Sequence, residues 1–99
     1  MKHSIKGDTL TVLLEGDLDH HNAEHVRTEL ESLIVNPRIL HLILDLRQLS
    51  FMDSSGIGVV LGRYRSLAKR RGSVAIRNSN ARIDRIFSMS GLYQIVEKL

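Results

Sequence analysis

Ninety-nine residues give one hydrophobic core and leave no room for a catalytic domain beside a regulatory one. A composition of 42% hydrophobic and 25% charged residues is that of a folded globular domain, not of a disordered or fibrous chain, and the absence of cysteine removes disulfides, thiolate zinc sites and thiol nucleophiles together. Two Tyr, two Phe and no Trp leave little material for stacking bases, so no direct nucleic-acid binding is expected; much of the formal charge of +3 comes from Arg63, Arg65, Lys69, Arg70 and Arg71, near a predicted helix C-terminus where cations complement the dipole.

In chain order, residues 3–6 and 9–15 read as two short strands around a Gly7-Asp8 turn, an antiparallel start. After Gly16-Asp17-Leu18-Asp19 the period changes. Ala23, Val26, Leu30, Leu33 and Ile34 recur at steps of three and four, the apolar stripe of a helix capped by Asn22 and ended by Asn36-Pro37. Residues 39–46 are apolar on both alternating faces except at His41 and Asp45, which predicts a central strand covered on both sides, with His41 a satisfied buried imidazole. Ile57, Val60, Leu61, Tyr64 and Leu67 predict a second helix that starts just after Asp53-Ser54-Ser55 and stops at Gly72. Val74-Ala75-Ile76 predicts a strand, Ile83, Ile86 and Phe87 a third helix capped near Ser79 or Asn80, and Tyr93 to Val96 a last strand. The alternation of strands and helices is that of an α/β domain with mainly parallel strands.

Residues 1–20 alternate polar and apolar positions, with no signal-peptide pattern, and the longest apolar runs are far too short to span a bilayer; the expectation is a cytoplasmic protein that meets no membrane. In parallel sheets, function gathers at the carboxyl ends of the strands, where helices begin and free N–H groups point outward. Two segments qualify by position, Gly16 to His21 and Leu49 to Gly56. In the second, Asp53, Ser54 and Ser55 are good helix caps and Gly56 and Gly58 allow close packing; the same residues suit a phosphate-related or interaction role.

Phe51-Met52-Asp53-Ser54-Ser55-Gly56-Ile57-Gly58, continued by Val59-Val60-Leu61-Gly62-Arg63-Tyr64, resembles the signature of STAS-domain anti-sigma factor antagonists. Gly16-Asp17-Leu18-Asp19-His20-His21 is similar to their other loop motif, and Phe87-Ser88-Met89-Ser90-Gly91-Leu92 to their Phe-x-x-x-Gly-Leu segment. The resemblance covers nearly the whole chain and favours the sporulation type. It implies one STAS domain over residues 1–99, with a mixed, mainly parallel sheet of four or five strands and helices packed on it. It further implies phosphorylation on Ser54, the first serine of Asp-Ser-Ser-Gly, and a partner surface made of Asp19, His20, Asp53, Ser54, Ser55, Gly56 and Ile57. The implied partners are a nucleotide-bound anti-sigma factor that is itself a serine kinase, and a serine phosphatase that restores the unphosphorylated form. The chain would then be a substrate of that cycle and not an enzyme, with no cofactor and no metal.

Four other readings compete. A serine hydrolase would use Ser54 as nucleophile, but Gly-x-Ser-x-Gly is absent and no base is evident beside it. A metal could use His20, His21 and His25, yet positions 21 and 25 supply only two ligands on one helix face. A receiver phosphorylated on Asp45 could use Asp17 and Asp19 as its acidic pair, but Arg77-Asn78 stands where its lysine would be. A STAS antagonist of a stress-response system remains open on the sequence.

Overall fold

The computed structural model describes residues 1–99. Strands β1 (His3–Lys6) and β2 (Thr9–Leu18) form an antiparallel hairpin, followed by α1 (Ala23–Ile34), β3 (His41–Met52), α2 (Ser54–Ala68), β4 (Ser73–Arg77), α3 (Ala81–Met89), a 3₁₀ turn at Leu92–Gln94 and β5 (Glu97–Lys98). One sheet runs in the order β1-β2-β3-β4-β5, and every pair after the hairpin is parallel. Parallel neighbours joined in sequence by right-handed crossovers all send their helices to the same face. The core follows that rule. Leu10, Val12 and Leu14 of β2, Leu42, Leu44 and Leu46 of β3, and Val74 and Ile76 of β4 share one buried cluster with Leu30, Ile34, Val59, Val60, Leu67, Ile83 and Phe87 of the helices.

The opposite face of the sheet is therefore open, contrary to the expectation of a doubly covered central strand. Leu13, His41 and Ile43, which alternate away from the core, are only partly buried. The His41 ring is not buried either. It meets Ser73 Oγ through Nδ1 at 2.7 Å, with Nε2 3.9 Å from Asp8, at the sheet end remote from Asp53.

The last strand is also displaced. Leu92 and Val96 are both core residues, and the Val96 amide donates to Leu92 O at 2.8 Å, so the apolar positions close a helical turn and the two-residue β5 follows it. The basic cluster does more than line a helix end. Arg63 is buried between α1 and α2 with Nε 2.6 Å from Glu31, and Arg70 donates to the carbonyls of Asn36 and Ile39. No helix is long and apolar enough to cross a membrane.

Candidate functional site

β4 ends at Arg77, level with Asp45 of β3, but β2 and β3 stay paired for another seven residues of β3. Gly16 and Leu49, expected in loops, belong to this two-stranded arm, which runs to the Leu18–Met52 pair and carries register shifts after Leu13 and Gly16. Its tip delivers the start of α1 and the start of α2 side by side. That juxtaposition builds the site.

Asp53 is the knot between the two segments. Its backbone N–H donates to Leu18 O at 3.2 Å, its Oδ1 accepts from the Ser55 amide at 2.8 Å as the cap of α2, and its Oδ2 accepts from the His20 amide at 3.2 Å. The His20 ring adds an Nδ1–Oδ2 separation of 4.0 Å. Partial burial pushes the carboxyl pKa up, but the N–H groups of Ser55, His20 and Gly56 outweigh it, and the group is held below the usual carboxylate range. Asp53 is thus an anion at neutral pH beside Ser54.

Ser54 occupies the first position of α2. Its side chain is exposed and makes no hydrogen bond within the chain, whereas Ser55 behind it is half-buried. Gly56 lies against the arm, where a Cβ would stand 2.6 Å from Met52 Cγ and 2.8 Å from Leu18 O. The requirement for glycine is one of space. Ile57 is half-buried at the edge of the core.

On the other loop, Asp19 and Asn22 hold each other. Asp19 Oδ1 accepts from the amides of His21 and Asn22 at 3.0 and 3.3 Å, and Asn22 Oδ1 accepts from the Asp19 amide at 2.9 Å. This is a reciprocal box around the turn that leads into α1, so the side chain that caps is Asp19, and Asn22, expected to cap, bonds backward. His20 and His21 stack at 4.0 Å between ring centroids on the exposed tip. The structure brings Asp19, His20, Asp53, Ser54, Ser55, Gly56 and Ile57 into one region. Sequence reasoning missed Phe51, which is 39% exposed and paired with Asp17 on the arm. An exposed aromatic in a chain with so few was the available signal.

The rival readings do not gain a site. Asp45 is 3% exposed and receives the Arg47 amide and Asn78 Nδ2, both at 3.1 Å, and Arg77 Nε at 3.4 Å; guanidiniums stand where a receiver would place carboxylates and a metal ion. His25 pairs with Glu29 along α1, and no group of three or more His, Asp or Glu side chains is placed to hold a metal.

The family model described as STAS domain matches residues 2–99. An anti-sigma F factor antagonist of Paenibacillus polymyxa is 41% identical over 87 residues, spanning 88% of this chain and 74% of that protein. An anti-sigma-B factor antagonist of Listeria monocytogenes is 33% identical over 90 residues, 91% of this chain and 78% of its own. The solved structure of the Bacillus cell fate determinant SpoIIAA in its phosphorylated form superimposes with a TM-score of 0.77 at 32% identity, over 99% of this chain and 89% of that one. The chain belongs to the STAS domain family, together with these anti-sigma factor antagonists.

Proposed function

We propose that this chain is an anti-sigma factor antagonist of the partner-switching kind, with its state set by phosphorylation of Ser54. The observation that carries the reading is the Ser54 hydroxyl: exposed, without an internal hydrogen bond, and set beside the loop of Asp19 and His20 by the Asp53 knot. In this reading the unphosphorylated protein uses Asp19, His20, Asp53, Ser54, Ser55, Gly56 and Ile57, with Phe51 at the edge, to bind a nucleotide-bound anti-sigma factor in the cytoplasm, and a sigma factor is released. The anti-sigma factor is also the serine kinase, and its product is a phosphoserine that blocks the same surface. A serine phosphatase reverses the block. The chain is the substrate of both enzymes and supplies no catalytic group.

The sporulation type is favoured by the likeness to the Paenibacillus anti-sigma F factor antagonist and to SpoIIAA, known in a phosphorylated form. A stress-response role is the second reading, supported by the likeness to the Listeria anti-sigma-B factor antagonist. Incubation with anti-sigma kinases of both types and ATP, followed by mapping of the modified residue, tests the proposal and separates its two forms. Modification elsewhere than Ser54, or by neither kinase, would refute it.

A further inference from the structure

The open face of the sheet carries a polar groove of about 240 Å³ across β1, β2, β3 and β4. Lys2, Ser4, Thr11, Asp45, Arg47 and Arg77 line it, and Leu13 is the single apolar residue among its walls. At its centre is Asp45, 3% exposed, at a sheet position whose strand partners are Leu13 and Arg77. A carboxylate there is expensive. A buried ion pair is commonly no more stabilising than apolar residues of the same volume, so fold stability alone does not explain an aspartate in the middle of the sheet.

What Asp45 does is hold two guanidiniums. Arg77 Nε lies 3.4 Å and Arg47 Nε 3.7 Å from its Oδ2, while Oδ1 is taken up by the Arg47 amide and Asn78 Nδ2. The Nη groups of both arginines make no hydrogen bond within the chain, and the side chains are 44% and 61% exposed. Arg77 is held by a hydrogen bond from its inner nitrogen and Arg47 by charge attraction alone, and both planar forks are open at their outer nitrogens, which suits the oxygens of a phosphoryl group. Ser4, Thr11, His3 and Lys2 line the same groove. Lys2 Nζ stands 4.0 Å from Glu15, so three cations share two carboxylates and the groove keeps a positive surplus. Its volume is below the range of about 300–1,000 Å³ that encloses a drug-sized ligand, which limits what it holds to a head group.

We propose that the open sheet face carries a small-anion site, in which Arg47 and Arg77, anchored on buried Asp45, bind the phosphoryl group of a small phosphate ester. The site is distant from Ser54 in the topology, on the sheet face away from the helices, and does not depend on the switch reading. Its test is a titration of the ¹⁵N-labelled chain with sodium phosphate, and in parallel with pyrophosphate, at constant ionic strength, following the side-chain Nε–H resonances of Arg47 and Arg77. Both should shift and saturate with a Kd of about 1 mM or tighter. Arg47→Gln, which removes no hydrogen bond to Asp45, should weaken binding at least about tenfold with the amide spectrum otherwise preserved, and Arg82→Gln on exposed α3 should leave it unchanged. Asp45→Asn separates positioning from net charge: the protein becomes more cationic, yet binding should weaken about threefold or more because the forks lose their anchor. Shifts that rise linearly without saturation, indifference to Arg47→Gln, or tighter binding by Asp45→Asn would each overturn the proposal.

Discussion

Replacing Gly56 with alanine tests the idea that close approach of α2 to the β2–β3 arm seats the candidate site. The new Cβ would lie 2.6 Å from Met52 Cγ, 2.8 Å from Leu18 O and 3.0 Å from Leu18 Cγ. Met52 and Leu18 are each 1% exposed, so neither side chain has free volume into which to retreat. The carbonyl is constrained as well, because Leu18 O accepts the Asp53 amide. With a fixed backbone carbonyl and two buried side chains in the way, the overpacking falls in the upper part of its usual range, about 2–3 kcal/mol, and the better helix propensity of alanine returns about 1 kcal/mol, leaving a net loss of about 1–2 kcal/mol. For a domain of this length that lowers the melting temperature by about 4–16 °C. Gly58 provides the control within the same helix: nothing stands within 4 Å of a Cβ there, so Gly58→Ala should stabilise by up to about 1 kcal/mol. Thermal and urea unfolding of the two variants against the parent measures both signs. The reasoning fails if Gly56→Ala melts at or above the parent, or if Gly58→Ala loses as much as Gly56→Ala.

Gly72→Ala should be worse than Gly56→Ala, because its Cβ would stand 1.9 Å from Leu40 O, a carbonyl bonded to the Ser73 amide; a loss above about 3 kcal/mol is expected, read as a collapsed urea midpoint. Ser54→Ala should still bind the anti-sigma factor and take up no phosphate, with stability close to the parent's because the cap of α2 is Asp53 and the Ser54 hydroxyl makes no hydrogen bond; stoichiometric phosphorylation of the variant would move the site elsewhere. Asp84 accepts from Ser79 Oγ at 2.6 Å, from Tyr93 OH and from Lys98 at 3.0 Å, and these contacts lower its pKa from 3.8 to about 2. The folded value is the depressed one, so its contribution is present above about pH 4 and is lost as pH falls toward 2, about 1 kcal/mol after allowance for solvent screening. Urea midpoints between pH 2 and 6 should therefore fall less steeply for Asp84→Asn, and parallel curves would contradict the assignment. A phosphoserine at position 54 should leave amide resonances of α3 and β5 unmoved while the affinity for the anti-sigma factor drops on the order of a thousandfold.

The helices were legible because each has a stripe at steps of three and four and a polar cap: Asp53 bonds the Ser55 amide and Asn80 the Ile83 amide, as their positions before apolar runs suggest. The arm was not. Glu15-Gly16-Asp17 and Arg47-Gln48 carry a polar pattern that reads as loop, and only the pairing of one strand with the other supplies the hydrogen bonds that keep both extended past β4. The open face was hidden for a different reason. Ile43 and Leu13 are as apolar as their buried neighbours, and one-sidedness follows from the order of the strands, which no local window contains. Asp19 shows the limit of residue type as a guide: its carboxylate is both a cap for the turn into α1 and an exposed-edge anion beside His20, and the same chemistry that suits a partner also closes the turn.

The placement of Ser54 explains why a modification there should act on a partner and not on the fold. Its hydroxyl touches nothing that holds the domain together; the bonds that tie α2 to the arm belong to Asp53 and to the glycine-sized gap at position 56. A phosphoryl group adds about −1.5 to −2 charge, favoured by the free amides of a helix start by about 0.3–1 kcal/mol when exposed. The ionised Asp53 carboxylate next to it opposes that gain. Two local effects of similar size and opposite sign leave little against a domain stability of about 5–15 kcal/mol. The partner meets a different balance, because a dianion pressed into a surface fitted to a bare hydroxyl must shed its water and finds Asp53 and Asp19 already contributing negative charge. A loss of only about 4 kcal/mol at that contact weakens binding on the order of a thousandfold. If Ser54 is the modified residue, as proposed, the separation of its hydroxyl from the groups that hold the knot would let a phosphate dianion form there without loosening the sheet beneath it.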